Sequence, residues 1–212
     1  MDNALNYSRL IMTKTEDGVY KQIGVFKVIG TSYLFGERNK GDLFSLESKA
    51  YNISLSYNTF NQEVEFYSTS NPDKPLIKEP GSVDSFLIHE NAAQFITRQL
   101  KFVYGPLLGS SDKSYFLEIY TGPRFSLYKK YKSDLGYVST NYIQSELRQF
   151  DLLYEYYYAD SAKAGLKKLK TNASSISSEL KKIKDISPVF TGEAFAIDQD
   201  AALRKAFEYL NN

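Results

Sequence analysis

The chain contains no cysteine, no tryptophan and a single histidine among its 212 residues. Without thiols there is no disulfide framework, no thiolate nucleophile and no cysteine-based metal site. One histidine would leave a zinc site to be built mostly from carboxylates, an unusual ligand set. Long apolar runs are also missing: no stretch of about 18 apolar residues occurs, so no transmembrane segment is expected. Nor is there an excess of one charge. Lysine and arginine number 26 against 25 acidic residues, so net charge selects neither nucleic acid nor anionic lipid as a partner. There is no phosphate-cradling glycine loop, no EF-hand loop and no Gly-x-Ser-x-Gly elbow, and no cofactor is expected.

What the chain does have is 18 tyrosines and 14 phenylalanines, side chains suited to packing and contact area rather than to chemistry. They alternate with polar residues at the period of a strand. Tyr51, Ile53, Leu55 and Tyr57 share one face, and Val64 and Phe66 resume the pattern, which predicts a hairpin over 50–68. Tyr115, Leu117 and Ile119 lead to Thr121-Gly122-Pro123, and Phe125 and Leu127 lead away from it. This is the clearest hairpin, with Gly122 expected to supply a positive φ. Residues 142–158 read as a further strand, whereas the prolines of 71–81 predict a loop with a short edge strand at Leu76 and Ile77.

Asn172 reads as the N-cap of an amphipathic helix over 173–184, with Ile176, Leu180 and Ile183 on one stripe. Asp198 caps a last helix carrying Leu203, Phe207 and Leu210. The fold class is therefore α+β and mainly β, built from antiparallel hairpins with two short C-terminal helices. Its expected parts are a flexible N-terminal segment at 1–18, a β-rich body at 19–170 with a lobe boundary at 105–113, and helices at 171–212 packed on that body.

The chemical candidates are few. His89 follows Ser82 and Asp84, but nearness in sequence does not make a triad, and the plain reading is a surface residue. Glu63 and Glu65 could serve as an acid–base pair, yet the alternation places them on an outward strand face. Asp198 and Asp200 suit a helix N-terminus. The segment 163–184 holds seven lysines against one glutamate, a solvated face or a contact for anionic surfaces. Tyr154, Tyr156 and Tyr158 share one side of a strand and Tyr157 the other. Tyr157 and Tyr131 are taken as partner contacts.

Several segments, in order, resemble an uncharacterised family of secreted or periplasmic proteins common in Bacteroidetes. They are Gly30-Thr31-Ser32-Tyr33-Leu34, Lys40-Gly41 ahead of the 50–68 hairpin, and Tyr115 to Lys132 with its run Leu127-Tyr128-Lys129-Lys130-Tyr131. The passage from Lys167 to Lys184 and the helix from Ala201 to Asn212 complete the order. Ala164-Gly165 departs from the bulkier strand residues usual there. The resemblance implies an exported precursor, a cell-envelope address and a β-rich body with C-terminal helices, and it carries no catalytic residues. Asp160-Ser161-Ala162 fits the short pattern at which such bacteria glycosylate exported proteins, making Ser161 a modification candidate.

The expected function is thus a non-catalytic interaction or scaffolding protein of the cell envelope, an accessory subunit with a protein partner. The alternative is a carbohydrate-binding or hydrolytic envelope protein with a glycan ligand. The expected location is periplasmic or outer-membrane-associated if a leader has been removed, and cytoplasmic otherwise, because Met1 to Tyr20 is too polar for a signal peptide.

Overall fold

The computed structural model describes residues 6–15, 17, 19–68, 71–77, 81–138 and 147–212. As the alternation predicts, the protein is mainly β with its helices near the C-terminus. The strands of the first half are β1 (Asn6–Lys14), β2 (Tyr20–Ile29), β3 (Tyr33–Phe44), β4 (Lys49–Asn58), β5 (Glu63–Ser68) and β6 (Asn71–Ile77). The second half adds β7 (Ser85–Ile88), β8 (Leu100–Tyr104), β9 (Tyr115–Tyr120), β10 (Phe125–Tyr137), β11 (Leu147–Asp160) and β12 (Leu166–Lys168). Three helices follow: α1 (Ala173–Leu180), α2 (Gly192–Ile197) and α3 (Gln199–Asn211).

Across the sheet the strands run β1-β2-β11-β10-β9-β8-β7-β3-β4-β5-β6, with β12 paired to β11. Among the described residues every strand pairing is antiparallel except one. Leu147, Arg148 and Gln149 lie parallel to Lys27, Val28 and Ile29, which is how the β1–β2 hairpin joins the body. The sheet curls strongly. At the β4–β5 turn the Gln62 Nε2 donates to the Tyr131 carbonyl at 2.9 Å. There too the Ser133 N–H donates to the Thr59 carbonyl at 3.1 Å, so this turn rests on β10.

The interior is aromatic because the alternation places rings on the inner face. Tyr57, Phe86 and Phe102 are fully buried. Phe86 and Phe102 stack 4.7 Å apart, and Tyr115 meets Phe86 edge-on at 5.2 Å. Offset and edge-on pairs of this kind add roughly 0.5–1.5 kcal/mol each beyond the area they bury. Beside this cluster α3 packs on β9 and β10 with Leu203, Phe207 and Leu210 buried, the stripe read from sequence, and Phe207 meets the Tyr158 ring of β11 at 5.9 Å.

Local elements add detail to the sequence reading, and some differ from it in length. Residues 105–113, the expected lobe boundary, link β8 and β9, which pair directly with each other. The expected flexible segment at 1–18 contains β1, paired along β2. β6 covers 71–77 as an edge strand, longer than the two residues expected. Residues 142–146 of the predicted return strand lie outside the described residues. α1 stops at Leu180, and turns follow it. α2 is a third helix, capped by the Thr191 hydroxyl accepting from the Ala194 N–H at 3.1 Å. Six residues with one buried anchor, Phe195, give too short a stripe for periodicity to register.

Gly122 has no positive φ. Its value is space. A Cβ there would lie 2.5 Å from the Asn211 amide, whose Oδ1 accepts from the Arg124 and Phe125 N–H groups at 2.9 Å each. The end of α3 is thereby tied to the β9–β10 turn.

Candidate functional site: an acidic, tyrosine-lined cleft

The β4–β5 turn sets the geometry. The Asn58 Oδ1 accepts from the Phe60 and Asn61 N–H groups at 3.1 and 3.2 Å, an Asx arrangement that tightens the turn. The Thr59 hydroxyl donates to the Ser32 carbonyl at 2.8 Å and lies 2.6 Å from the Ser133 hydroxyl. Asn58 then sits opposite Glu63 and Ser56 opposite Glu65. With the register fixed, Val64 enters the core and both glutamates point to the other face.

That face is not outward, contrary to the sequence reading. Glu63 is 6% exposed and Glu65 5%, because β1, β2 and Phe150 of β11 lie over them across a cavity of about 370 Å³. Tyr20 of β2 donates its hydroxyl to Glu63 at 2.6 Å. Tyr33, opening β3, donates to the Glu65 carboxylate with its hydroxyl 3.0 and 2.9 Å from the two oxygens. Asn58 Nδ2 adds a contact at 3.4 Å. Phe60 and Phe150 meet edge-on at 5.5 Å in the cavity wall.

Burial raises the Glu65 carboxyl above its ordinary range. Hydrogen bonds from Tyr33 and Asn58 oppose the shift, and the charges of Glu63 and Glu37 reinforce it. The Tyr20 and Tyr33 hydroxyls are pushed well up, first by burial and then by the neighbouring glutamates, so both remain donors. The stabilisation that follows from a raised carboxyl is fully present below its unfolded value and is lost as pH rises through the folded one. At neutral pH Glu65 therefore opposes folding. Glu65→Gln is expected to raise neutral-pH stability by about 1 kcal/mol, roughly 2–4 °C in Tm. Thermal melts at a series of pH values should show the gain over wild type shrinking in acid.

The expected site residues fall elsewhere. Tyr131 is 8% exposed, with Tyr154 edge-on at 6.3 Å. Tyr157 is half-buried, edge-on to Phe116 at 5.2 Å, and donates to Glu155 at 2.7 Å. The two do not meet in one patch. Tyr156 and Tyr158 are buried and Tyr154 half-exposed. Ser161 is exposed in the turn after β11. The Nε2 of His89 lies 3.1 Å from Asp42 and not from Asp84, so the sequence triad does not assemble. In the lysine-rich segment, Lys167 pairs with Glu179 at 2.7 Å and Lys168 with Glu155. Among the described residues no group of three or more histidine, cysteine or acidic side chains could hold a metal.

The cleft escaped sequence reading because its tyrosines arrive from strands far from β5 in the chain. A period of two marks opposite faces but does not reveal that both are covered. No family model matches the chain, and no curated protein or solved structure matches it.

Proposed function

We propose that this protein is a non-catalytic interaction module that receives a cationic group of its partner between Glu63 and Glu65. The observation that carries the reading is the burial of two carboxylates on one strand face beside an open cavity. Two carboxylates on one strand face, held by the Tyr20 and Tyr33 hydroxyls with room beside them, offer acceptor oxygens to a cationic group of a partner. The tyrosine hydroxyls hold the carboxylates in place, and the aromatic wall suits an ammonium or guanidinium group. The family resemblance supports a scaffold or accessory subunit of the cell envelope, periplasmic or outer-membrane-associated. Among the described residues no helix is long and apolar enough to cross a membrane.

Affinity purification of the tagged protein from native envelope and soluble fractions, with mass spectrometry, tests this. The expected result is a stoichiometric protein partner that survives mild detergent and is released as salt rises. Recovery of the protein alone from both fractions counts against it.

One observation favours a second reading. Glu65, with its raised carboxyl, stands two residues from Glu63 on the same face, the pairing that acid–base attack on a glycosidic bond requires. In that reading the cleft takes a sugar. Titration calorimetry against a glycan panel, with product analysis, separates the two: heat or cleavage with sugars selects the glycan reading.

A further inference from the structure

Among the described residues the outer edge of β11 is paired at both ends and unpaired between them. At one end β2 lies parallel to Leu147, Arg148 and Gln149. At the other, β12 pairs with Tyr157, Tyr158 and Ala159, and the Leu169 N–H donates to the Tyr156 carbonyl at 2.8 Å. Among the described residues no strand pairs with 151–155 on that side, while on the opposite side the ladder to β10 runs unbroken from Arg148 to Asp160.

The direction of each backbone group follows from the ladder. The Leu147 carbonyl accepts from Val138 at 3.4 Å toward the β10 side, and the Tyr156 carbonyl faces outward. Groups on an antiparallel strand alternate between its two edges, so odd residues here serve β10 and even ones face out. The N–H and C=O of Leu152 and Tyr154 therefore line the open edge. Five residues at about 3.4 Å each make a slot roughly 17 Å long.

The side chains fit a binding edge. Leu152, Leu153 and Tyr154 are 49%, 47% and 46% exposed, and an open edge with apolar side chains invites strand pairing. The ends of the slot differ in charge. Phe150, at the β2 end, lines the cleft of Glu63 and Glu65. Tyr154 and Tyr156, at the β12 end, line a second cavity of about 250 Å³ with Lys168 and Lys170. Glu155 in that cavity wall is paired with Lys168, and Lys170 is exposed. Phe150, Tyr154 and Tyr156 are even-numbered and share a face of β11, so each cavity has a wall on that face.

We propose that the 151–155 edge takes an extended segment of a partner protein by strand addition. A basic side chain of that segment enters the Glu63/Glu65 cleft, and an acidic one lies some six residues away beside Lys168 and Lys170. Main-chain hydrogen bonds to Leu152 and Tyr154 hold the segment, and the charges at the two ends set its register. The basic end rests on the reading of the cleft given under Proposed function. The main-chain contacts do not.

The probes are seven-residue peptides alternating valine and threonine, with lysine at one end and glutamate at the other, in both sequence orders. Each is made with ordinary amides and with alternate amides N-methylated. Titrated into the whole isotope-labelled protein, one order should give saturable amide shifts at Leu152 and Tyr154. N-methylation on the bonding edge should weaken binding about tenfold or more. Leu152→Pro, which removes an outward N–H without touching the β10 ladder, should do the same.

The slot is overturned if no peptide shifts 151–155, or if N-methylated and ordinary peptides bind alike. It is also overturned if the free protein dimerises in sedimentation and Leu152→Pro abolishes the dimer, since the occupant is then a second copy. Shifts confined to Tyr20, Tyr33, Glu63 and Glu65 reject the slot and keep the cleft. Binding that N-methylation abolishes but Glu63→Gln with Glu65→Gln leaves unchanged keeps the edge and rejects its basic end.

Discussion

Gly41→Ala is expected to destabilise the protein by about 3 kcal/mol or more, lowering Tm by roughly 6–12 °C for a chain of this size. Gly41 lies mid-sheet in β3, opposite Ile53 of β4 and Ile88 of β7. A Cβ there would sit 2.0 Å from the Leu87 carbonyl oxygen and 2.8 Å from a Leu55 methyl. The obstacle is backbone, so relief requires β3 to move away from β7 and to break ladder hydrogen bonds. Gly136→Ala is the control. Its Cβ would meet only an Asp151 carboxylate oxygen at 3.5 Å, an ordinary contact, and its effect should stay within about 0.5 kcal/mol. Denaturant melts of both variants check the contrast, and equal effects would show that β3 has room the structure denies it.

Asp200→Ala should cost nearly as much, about 3 kcal/mol, for an electrostatic reason. Lys129 is 8% exposed. Its ammonium lies 3.0 Å from Asp200 of α3, and the Tyr154, Tyr131 and Tyr156 rings surround it at 4.3, 5.1 and 5.2 Å. The Tyr156 hydroxyl also donates to Asp200. Removing the carboxylate leaves a buried cation with only ring faces for company. The double variant Lys129→Met, Asp200→Ala removes the charge as well and should recover most of the loss. A double-mutant cycle in urea measures this, and additive losses would mean that the pair is screened by water.

Much of the fold is legible in the chain because its signals are local. The alternation of Tyr115 to Leu127, the capping side chains of Asn172 and Asp198, and the stripe of Leu203, Phe207 and Leu210 need no knowledge of distant residues. Where reading fails, the deciding group lies far away in sequence. Lys129 is a charged residue in a strand, yet Asp200 of a helix formed 71 residues later closes over it. Asp200 reads as a favourable first-turn charge and is also that lysine's counter-ion. Gly122 reads as a φ requirement and proves to make room for Asn211.

The candidate site was the least legible part. Glu63 and Glu65 were visible as a pair, but their alternation with Val64 marks them only as opposite to the core. That Tyr20 and Tyr33 would close over them depends on the curl of the sheet and on the parallel junction between β2 and β11. Of the two expected partner contacts, Tyr131 is 8% exposed and Tyr157 stands edge-on to Phe116, a ring on another strand.

The most direct test is capture of partners from native fractions by the wild type and by the Glu63→Gln, Glu65→Gln double variant, side by side. The substitution keeps shape and one acceptor oxygen per side chain while removing both charges, and a melt at or above the wild-type Tm establishes that the fold is intact. If the cleft is the binding site, the folded double variant loses the partner that the wild type retains. Equal recovery of the same partner by both proteins would contradict a role for the carboxylates in binding.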